Sequence, residues 1–308
     1  MPKFLSKKVV PIHSDFSACP EVSLWDFSDM LQNPTKVKEV VSLIATLSHG
    51  NFRPKDAERL YNNLLKLGHE SVLEFIRTPS FSEVSRIQDS DLIEDEYRYF
   101  VKGGLGIDKS FRNRTLNIGC FSNQECRIIL SHNIATFLVE VPIYSARQIM
   151  RHRLFSYLEL SRRYTKDKKV PFVIIVPATI HNNLLARILY KLHFWFSKTI
   201  YNLLLRLGIK PEDARAVMPL GTKTMFWMMG DYRAWLNFFV ERLQPEAQEI
   251  TRATAETMLR MLKYYQPKFV ENMIDYAPEY CQHHLEEIKK SRKRKVNYVL
   301  QNYFGVKL

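Results

Sequence analysis

The chain contains few cysteines, and none of them stands in a pattern that binds a metal or builds a disulfide framework. The four cysteines in 308 residues, at positions 19, 120, 126 and 281, include no CxxC pair and lack the histidine spacing of zinc sites. Structural zinc sites and disulfide-rich domains depend on such spacings. We therefore expect a protein of a reducing compartment, without a bound metal.

Long hydrophobic runs are also missing. The first residues, MPKFLSKKVVPIHSDF, have no continuous apolar core of the kind found in secretory signal peptides. The most apolar stretch, residues 171–180, is far shorter than the roughly 20 residues that span a bilayer. The sequence therefore predicts a cytoplasmic protein that does not enter the membrane.

The usual glycine-rich phosphate-binding loops are absent. Residues 102–108 read KGGLGID, which has neither the lysine and serine of a Walker loop nor the three-glycine spacing of a dinucleotide-binding loop. We interpret this segment as a flexible turn. We also find no internal repeat.

What the sequence does have is apolar content and positive charge. Hydrophobic residues make up 46% of the chain and aromatic residues 12%, enough for a sizeable core. The formal net charge of +13 favours an anionic partner. Nucleic acid, an anionic membrane and phosphorylated small molecules all fit that description, and charge alone does not choose among them.

The densest positive charge lies in residues 147–165, RQIMRHRLFSYLELSRRYT, where five of nineteen positions are arginine. Guanidinium groups this close repel one another, so a fold that gathers them generally supplies anions. If the first part is helical, Arg147 and Arg151 share one face at i and i+4. A solvated basic helix face is the simpler alternative. Interleaved aromatic and leucine residues favour a half-buried segment, in which arginines need partners.

Apolar periodicity predicts a mixture of helices and strands, an α+β fold, in a chain long enough for one large domain or two small ones. Apolar residues recur at helical spacing, with caps or breakers at the ends, and two segments have the pattern of strands. The expected helices span residues 34–47, 54–67, 182–207, 231–242 and 246–265, with another beginning at Pro211; the expected strands span residues 134–143 and 172–176, and residues 1–34 are expected to form a strand and loops.

The arginine-rich segment resembles the signature of the flavin-dependent thymidylate synthases. The shared pattern is Arg-His-Arg at 151–153, seven further residues, and Ser161. The similarity extends from about residue 41 to 250 with one large interruption, and it includes DARAVMPL, DYRAWLNFFVER and EAQEI in the same order. This resemblance implies a single domain over residues 1–308, with a central antiparallel or mixed sheet and long helices.

The resemblance also implies an activity. Members of the family convert dUMP to dTMP with methylenetetrahydrofolate as carbon donor and NADPH-reduced FAD as hydride donor, and they use no cysteine nucleophile. It further implies a homotetramer whose active sites are shared between subunits. Small molecules, rather than nucleic acid or a membrane, would then be the partners that account for the positive charge.

The family's functional positions match residues of this chain. Arg242 and Ser161 match catalytic positions: Arg242 would stabilise the electron-rich uracil ring, and Ser161 would hydrogen-bond the same region. Positions that contact dUMP are matched by Gln148, Arg151, Glu159, Ser161, Arg163, Arg215 and Arg242. Positions that contact FAD are matched by His132, Arg151, His152, Arg153, Glu159, Arg233 and Asn237.

Each position also has a simpler interpretation. Arg215 and Arg242 could be surface residues paired with Glu212 and Glu246, and Asn237 could face water. Three residues depart from the family pattern around the flavin site: Asp231 where asparagine is common, Val240 where a polar residue is common, and Glu246 where histidine is frequent. They leave open a catalytically altered paralogue that still binds flavin or nucleotide.

The large interruption is interpreted as an insertion. Relatives have a Glu-His pair directly before the strand that leads into the arginine segment, whereas here Glu74 is followed by Phe75. Alignment backwards from Pro142 instead places Ser131 and His132 at that pair. We predict an insertion of about 50 to 60 residues between about residues 72 and 130, which returns His132 to the flavin site. The alternative is that His132 caps a strand at the surface.

The C-terminal residues 289–308 form a basic tail that begins KKSRKRK. Together with the net charge, this tail supports a competing interpretation as a nucleic-acid-binding protein. The lysines and arginines of the cluster are not interleaved with aromatic residues, which would stack on bases, and no RNA-binding motif is present. We therefore predict a solvated, disordered terminus whose removal leaves the activity largely intact.

Overall fold

The computed structural model of the chain describes residues 3–9, 20–26, 34–47, 56–66, 72, 75, 134–161, 172–282 and 286–306. The predictions for His132, Arg163 and most of the insertion between about 72 and 130 lie outside these described residues. Within them, helices cover both faces of one sheet, which confirms the predicted α+β class.

The sheet has five strands in the described part of the chain, ordered β1-β2-β3-β5-β4, and every neighbouring pair is antiparallel. The strands are β1 Lys3–Val9, β2 Glu21–Asp26, β3 Ile134–Pro142, β4 Ser156–Glu159 and β5 Lys223–Asp231.

The central strand β3 was predicted from its β-branched and aromatic residues, and the structure confirms it. All its residues after Ile134 are buried, because helices cover the sheet on both sides. The one charged residue, Glu140, faces Lys223 of β5, with 2.7 Å between carboxylate oxygen and Nζ, and Lys7 of β1 at 3.5 Å. A buried carboxylate is thus paired with two cations.

The helices form two layers. On one face, α1 (Pro34–Thr46) and α2 (Ala57–Lys66) pack against Trp227 and Met229 of β5. The other face is covered mainly by α7 (Tyr232–Arg242) and α8 (Glu249–Tyr265), and it buries the large aromatic residues of α7. The remaining helices are α3 Ile143–Ile149, α4 Ala178–His181, α5 Leu184–Arg206, α6 Pro211–Ala214, α9 Pro267–Asp275, α10 Ala277–Gln282 and α11 Glu286–Val299.

The long helix α5 matches its sequence prediction at both ends. The Asn183 side chain accepts a hydrogen bond from the Ala186 amide at 3.0 Å, which satisfies one of the free donors of the first turn. Gly208 has φ +83°, a left-handed conformation that favours glycine and turns the chain away from the helix. Proline at the first position of α6 begins the next helix.

One predicted strand is wrong. Residues 172–176 form only an isolated bridge between Ile174 and Thr222, although most of the segment is buried. Proline at 171 and 177 limits the segment, because proline cannot donate to a ladder. The four-residue strand β4, inside the arginine-rich segment, was not predicted.

The prediction of a disordered basic tail is also wrong. Residues 286–299 form helix α11, and Val296, Val299 and Leu300 are almost completely buried against the main core. The charged residues lie between these apolar positions, so the segment is an amphipathic helix whose basic face is outermost.

In the part of the chain that the structure describes, no helix is both long enough and apolar enough to cross a membrane.

Candidate functional site

The arginine-rich segment divides into helix α3, a turn at residues 150–155, and strand β4. The turn is held in place by Tyr157, whose hydroxyl lies 3.0 Å from the carbonyl oxygen of Ile149 and 3.1 Å from that of His152. A single hydroxyl hydrogen is shared between these two acceptors. Tyr157 thus fixes the backbone on both sides of Arg151.

His152 is at the centre of the site, and it is only 7% exposed. The Nε of Arg242 donates to the Nε2 of His152 at 2.9 Å, and the side-chain nitrogen of Asn237 lies 3.4 Å from Nδ1. The imidazole also packs edge-on against Phe238 at 5.1 Å. Because arginine is a donor only, Nε2 must accept, and the ring is neutral with its proton on Nδ1.

The electrostatics agree with a neutral ring. Burial, together with the positive charge of Arg242, lowers the pKa of His152 to about 4, while Glu241 acts weakly in the opposite direction. His152 is therefore uncharged at neutral pH and serves as an acceptor for the guanidinium.

Arg242 is the last residue of α7, and it is half-buried. Besides its bond to His152, its Nη2 donates to the backbone carbonyl of Gln148 at 2.7 Å. Of the five N–H groups of a guanidinium, two are engaged in this way. The side chain is thus a cation held in a fixed orientation with donors remaining for a ligand.

Gln148 connects the site to the beginning of α8. Its Nε2 donates to the side-chain oxygen of Gln248 at 2.7 Å, and its own side-chain oxygen accepts from Thr251 at 3.3 Å. Thr251 is in turn within 2.9 Å of Ser145 on α3. The amide predicted to contact dUMP is therefore oriented by two helices.

Glu159 lies on the same side of β4 as Tyr157, because residues two apart point to one face of a strand. Glu159 is exposed and accepts a hydrogen bond from Thr224 at 2.8 Å. Ser161 is half-buried just beyond the strand. Glu159 thus shares a face of β4 with Tyr157, which contacts the His152 turn, and Ser161 follows two residues later in the chain.

The other predicted arginines are more exposed. Arg151 and Arg153 stand in the turn with exposed side chains. Arg233, half-buried in the first turn of α7, lies 3.5 Å from Asp231 and above the Tyr232 ring. Arg151 and Arg153 thus stand on either side of His152 in the turn, whereas Arg233 lies at the opposite end of α7 from Arg242.

Arg215 is separate from the cluster. It lies in the 3-10 turn Arg215–Val217, is exposed, and donates from Nε to the carbonyl of Glu212 at 3.1 Å. This turn contacts α5. One protomer therefore joins Gln148, His152, Asn237 and Arg242 by hydrogen bonds but places Arg215 on a different element.

Two of the simpler interpretations are wrong. Arg242 bonds to His152 and Gln148 rather than pairing with Glu246, and Asn237 contacts His152 and Tyr280 rather than water alone. Asp231, a departure from the family pattern, caps α7 by accepting from the Ala234 amide at 2.9 Å. Aspartate caps a helix as well as asparagine does, so residue 231 can cap α7 with either side chain.

Sequence reasoning missed several residues that support the site. From the sequence, Tyr157 could be recognised only as an aromatic residue within the arginine segment. Its position five residues after His152 was the one sequence feature that could have suggested a contact with the turn. The other supporting residues come from distant parts of the chain: Thr224, Gln248, Thr251 and Tyr280.

These features define an α+β protein with a donor-rich, cationic site at the edge of an antiparallel sheet. The guanidinium groups and amides offer many hydrogen-bond donors, which suits phosphate and carbonyl oxygens.

Comparison with known families agrees with this description. Residues 112–268 match the model of the family described as thymidylate synthase complementing protein, and this match spans half of the chain. The chain belongs to that family.

Individual relatives are named flavin-dependent thymidylate synthase. The protein of Sulfurisphaera tokodaii is 33% identical over 46% of this chain and 54% of its own length. That of Thermotoga neapolitana is 30% identical over 47% of this chain and 69% of its own length. The chain spans about half the length of the first of these relatives.

A solved structure is also similar, that of a UMP/dUMP methylase, PolB from Streptomyces cacaoi, bound with 5-Br dUMP. It is 27% identical, covers 46% of this chain and 71% of that chain, and has a TM-score of 0.42.

Proposed function

We propose that the protein reductively methylates dUMP to dTMP, with methylenetetrahydrofolate as carbon donor and NADPH-reduced FAD as hydride donor. The observation that supports this most strongly is the bond between Arg242 and His152, which lie 90 positions apart. The bond joins Arg242, which the family resemblance assigns to the dUMP site, to His152, which it assigns to the flavin site.

Arg242 would act on the uracil ring. For carbon transfer, C5 of uracil must attack the one-carbon unit, and this requires an electron-rich, enolate-like ring with negative charge shared by its oxygens. A preorganised cation beside O2 stabilises the ring in this form. The new C5–carbon bond forms as the carbon leaves the folate, the C5 proton departs, and a hydride completes the methyl group.

The nucleotide phosphate would be bound by exposed arginines. A phosphate monoester carries nearly two negative charges at neutral pH, and guanidinium groups bind its oxygens bidentately. Arg151 and Arg215 have the exposure that such a role requires. Arg163, also proposed for this role, lies outside the described residues. Gln148, Glu159 and Ser161 would orient the base and sugar.

The residues also suit a flavin. Exposed guanidinium groups at Arg151 and Arg153, with half-buried Arg233 and Asn237, offer cations and an amide for a dinucleotide's phosphates and ring edge. FAD, when bound, would supply the hydride taken from NADPH. Because His152 is buried and holds Arg242, its contribution to the flavin site is proposed to be positioning. His132 remains a predicted flavin contact, and Glu159 a predicted contact of both ligands.

A cysteine nucleophile is not part of the proposal. Burial raises the pKa of the Cys281 thiol above its usual range, which lowers the fraction of reactive thiolate. The other three cysteines lie outside the described residues.

We further propose that the protein assembles as a homotetramer with shared active sites. The outer face of α5 exposes nine large apolar side chains at helical spacing, and a contiguous exposed apolar patch commonly marks an interaction surface. Its residues are Leu184, Leu185, Ile188, Leu189, Leu192, Trp195, Phe196, Ile200 and Leu203. A second copy covering this face would lie next to the Arg215 turn, which packs on α5, and so could bring Arg215 to the partner's cluster.

This assembly predicts the effect of one substitution. Trp195 is 60% exposed at the centre of the apolar face, so Trp195→Lys should reduce the mass measured by light scattering from four times 36.4 kDa to a smaller species. Tyr264→Lys, on a side chain that is 79% exposed on α8, is the matched control and should leave the mass unchanged. A tetramer that persists in Trp195→Lys would contradict the proposed interface.

The activity itself is tested by dTMP formation from dUMP under anaerobic, flavin-replete conditions. The purified protein should be yellow, and NADPH should bleach its flavin absorbance. No dTMP with a normal flavin spectrum would indicate a catalytically altered paralogue. A colourless protein that binds RNA in a salt-sensitive way would instead support the nucleic-acid alternative, which rests on the net charge.

A further inference from the structure

The C-terminal segment, of which the structure describes residues 277–282 and 286–306, contacts the part of α7 that carries Arg242. This segment follows the residues 112–268 that match the family model. Helix α11 packs along α7, and both belong to the same buried core. The segment therefore has a structural connection to the site that the family comparison did not include.

Three contacts from the C-terminal segment hold the end of α7 and the residues just after it. Lys295 of α11 pairs with Glu241 at 2.8 Å, and the side-chain amide of Gln244 donates to the Lys295 carbonyl at 3.2 Å. The Tyr303 hydroxyl approaches the carbonyl of Leu243 at 3.5 Å. Glu241, Leu243 and Gln244 surround Arg242 in sequence, so these contacts fix the backbone from which its side chain reaches His152.

A second connection reaches His152 through side chains. Tyr280 of α10 lies beneath the guanidinium of Arg292 of α11, 4.4 Å from the ring centroid. Its hydroxyl is 2.7 Å from Oδ1 of Asn237, whose amide nitrogen lies 3.4 Å from Nδ1 of His152. The order of contacts is thus Arg292, Tyr280, Asn237, His152 and Arg242.

The protonation state of His152 decides which group donates and which accepts in these hydrogen bonds. Arg242 requires the lone pair of Nε2, which puts the His152 proton on Nδ1 and demands an acceptor there. A half-turn of the Asn237 amide presents its oxygen to Nδ1 and its nitrogen to the Tyr280 oxygen, since the two amide ends have the same shape. Burial raises the pKa of Tyr280 to about 12, so its hydroxyl stays neutral. The Tyr280 hydroxyl can therefore accept from the rotated amide, and it holds in place the side chain that binds the imidazole.

We propose that residues 277–306 form a positioning element for Arg242, with Lys295 holding the end of α7 and Tyr280 fixing His152 through Asn237. Tyr280 and Lys295 are positioning residues in this proposal. The catalytic consequence rests on the proposed function, whereas the geometric consequence for His152 does not.

The test uses the flavin-loaded full chain with Tyr280→Phe, Lys295→Met and the double variant. Tyr280→Phe removes one hydroxyl and keeps the ring in the core. Lys268→Met breaks a Lys–Glu pair on α9, and Tyr264→Phe changes an exposed tyrosine on α8, so they are matched controls. Lys295→Arg should restore the pair with Glu241.

In turnover, the double variant should lose about tenfold in kcat/KM for dUMP, mainly through kcat, because a misplaced group weakens the transition state more than the bound substrate. Its melting temperature should remain close to that of the wild type, and both controls and Lys295→Arg should keep wild-type turnover. Wild-type turnover in the double variant would overturn the catalytic part of the proposal.

A second readout is independent of activity. Hydrogen exchange at the imidazole C2 position, followed by mass spectrometry, reports the pKa of an individual histidine. Burial lowers the pKa of His152 most, and the charged groups that act on it are Arg242, which lowers it, and Glu241, which raises it. Burial persists in the variants, so loss of the close contact with Arg242 should raise the pKa from about 4 by part of the difference from its ordinary value. The double variant should show this rise, and the two controls should not.

The two readouts separate the possible failures. If the wild type forms no dTMP, the proposed function fails, and the exchange result alone decides whether residues 277–306 position Arg242. If turnover falls while the His152 pKa stays at its wild-type value, the effect does not pass through His152, and the positioning proposal is overturned.

Discussion

Arg242→Ala should reduce the rate of dTMP formation by about 10² or more, the cost of removing one preorganised donor from a site of developing negative charge. Arg242 is held by His152 at 2.9 Å and by the Gln148 carbonyl at 2.7 Å, so its guanidinium is oriented before substrate arrives. Most of the loss should therefore be in kcat. Arg242→Lys should be intermediate, because an ammonium keeps the charge but loses the planar fork.

The matched control is Arg260→Ala, which removes an exposed arginine from α8. It should keep wild-type turnover and wild-type melting temperature. Arg242→Ala with unchanged kcat would show that this residue does not stabilise the reacting ring. Ser161→Ala, tested in parallel, should also lower turnover, since Ser161 is proposed to hydrogen-bond the same region of the base.

Truncation after Ile288 should unfold or severely destabilise the protein, contrary to what the sequence had suggested. It removes Val296, Val299 and Leu300, which are at most 1% exposed. Full burial of such a side chain contributes about 1.5–3 kcal/mol, so the three together contribute about 5–9 kcal/mol. That is comparable to the whole free energy of unfolding of a typical domain, about 5–15 kcal/mol.

The control for truncation keeps the helix and removes charge. Lys293 and Arg294 are exposed on α11, so Lys293→Gln with Arg294→Gln should leave both the melting temperature and dTMP formation near wild type. Chemical denaturation of the truncated protein measures the predicted loss. A truncated protein with wild-type stability would contradict the packing of α11 on the core.

Local signals accounted for much of the fold. Strand β3 and helix α5 were predicted because apolar periodicity is a signal carried by residues close together in the sequence. The prediction of a strand at 172–176 was wrong because an apolar run indicates burial, and this buried segment pairs with a neighbour at one bridge only. Strand β4 was missed because four residues inside an arginine-rich segment are too few for a period to be recognised.

The structure of the C-terminal tail could not be predicted from its composition alone. A run of lysine and arginine resembles a solvated terminus, yet Val296, Val299 and Leu300 sit close behind it at helical spacing. Packing on α7 decides whether the segment is a solvated terminus or a helix. Because α7 and α11 are far apart in the sequence, this contact leaves no local signal.

The site was predicted in part, and only with help from the family resemblance. Residues in the arginine segment were found by their pattern, and Arg242 and Asn237 by their order. The supporting contacts could not be found in this way, because Tyr280 meets Asn237 across 43 positions and Gln148 meets Gln248 across 100. Such pairs carry no local signal in a single sequence.

The proposed function requires that the cluster of Arg242, His152 and Gln148 receives the uracil ring of dUMP. A crystal structure of the flavin-loaded protein with dUMP would show where the nucleotide binds. We predict that the guanidinium of Arg242 lies within hydrogen-bond distance of uracil O2 and retains its bond to His152. Absence of dUMP from this cluster in crystals saturated with it, or a nucleotide bound elsewhere on the chain, would overturn the proposed function.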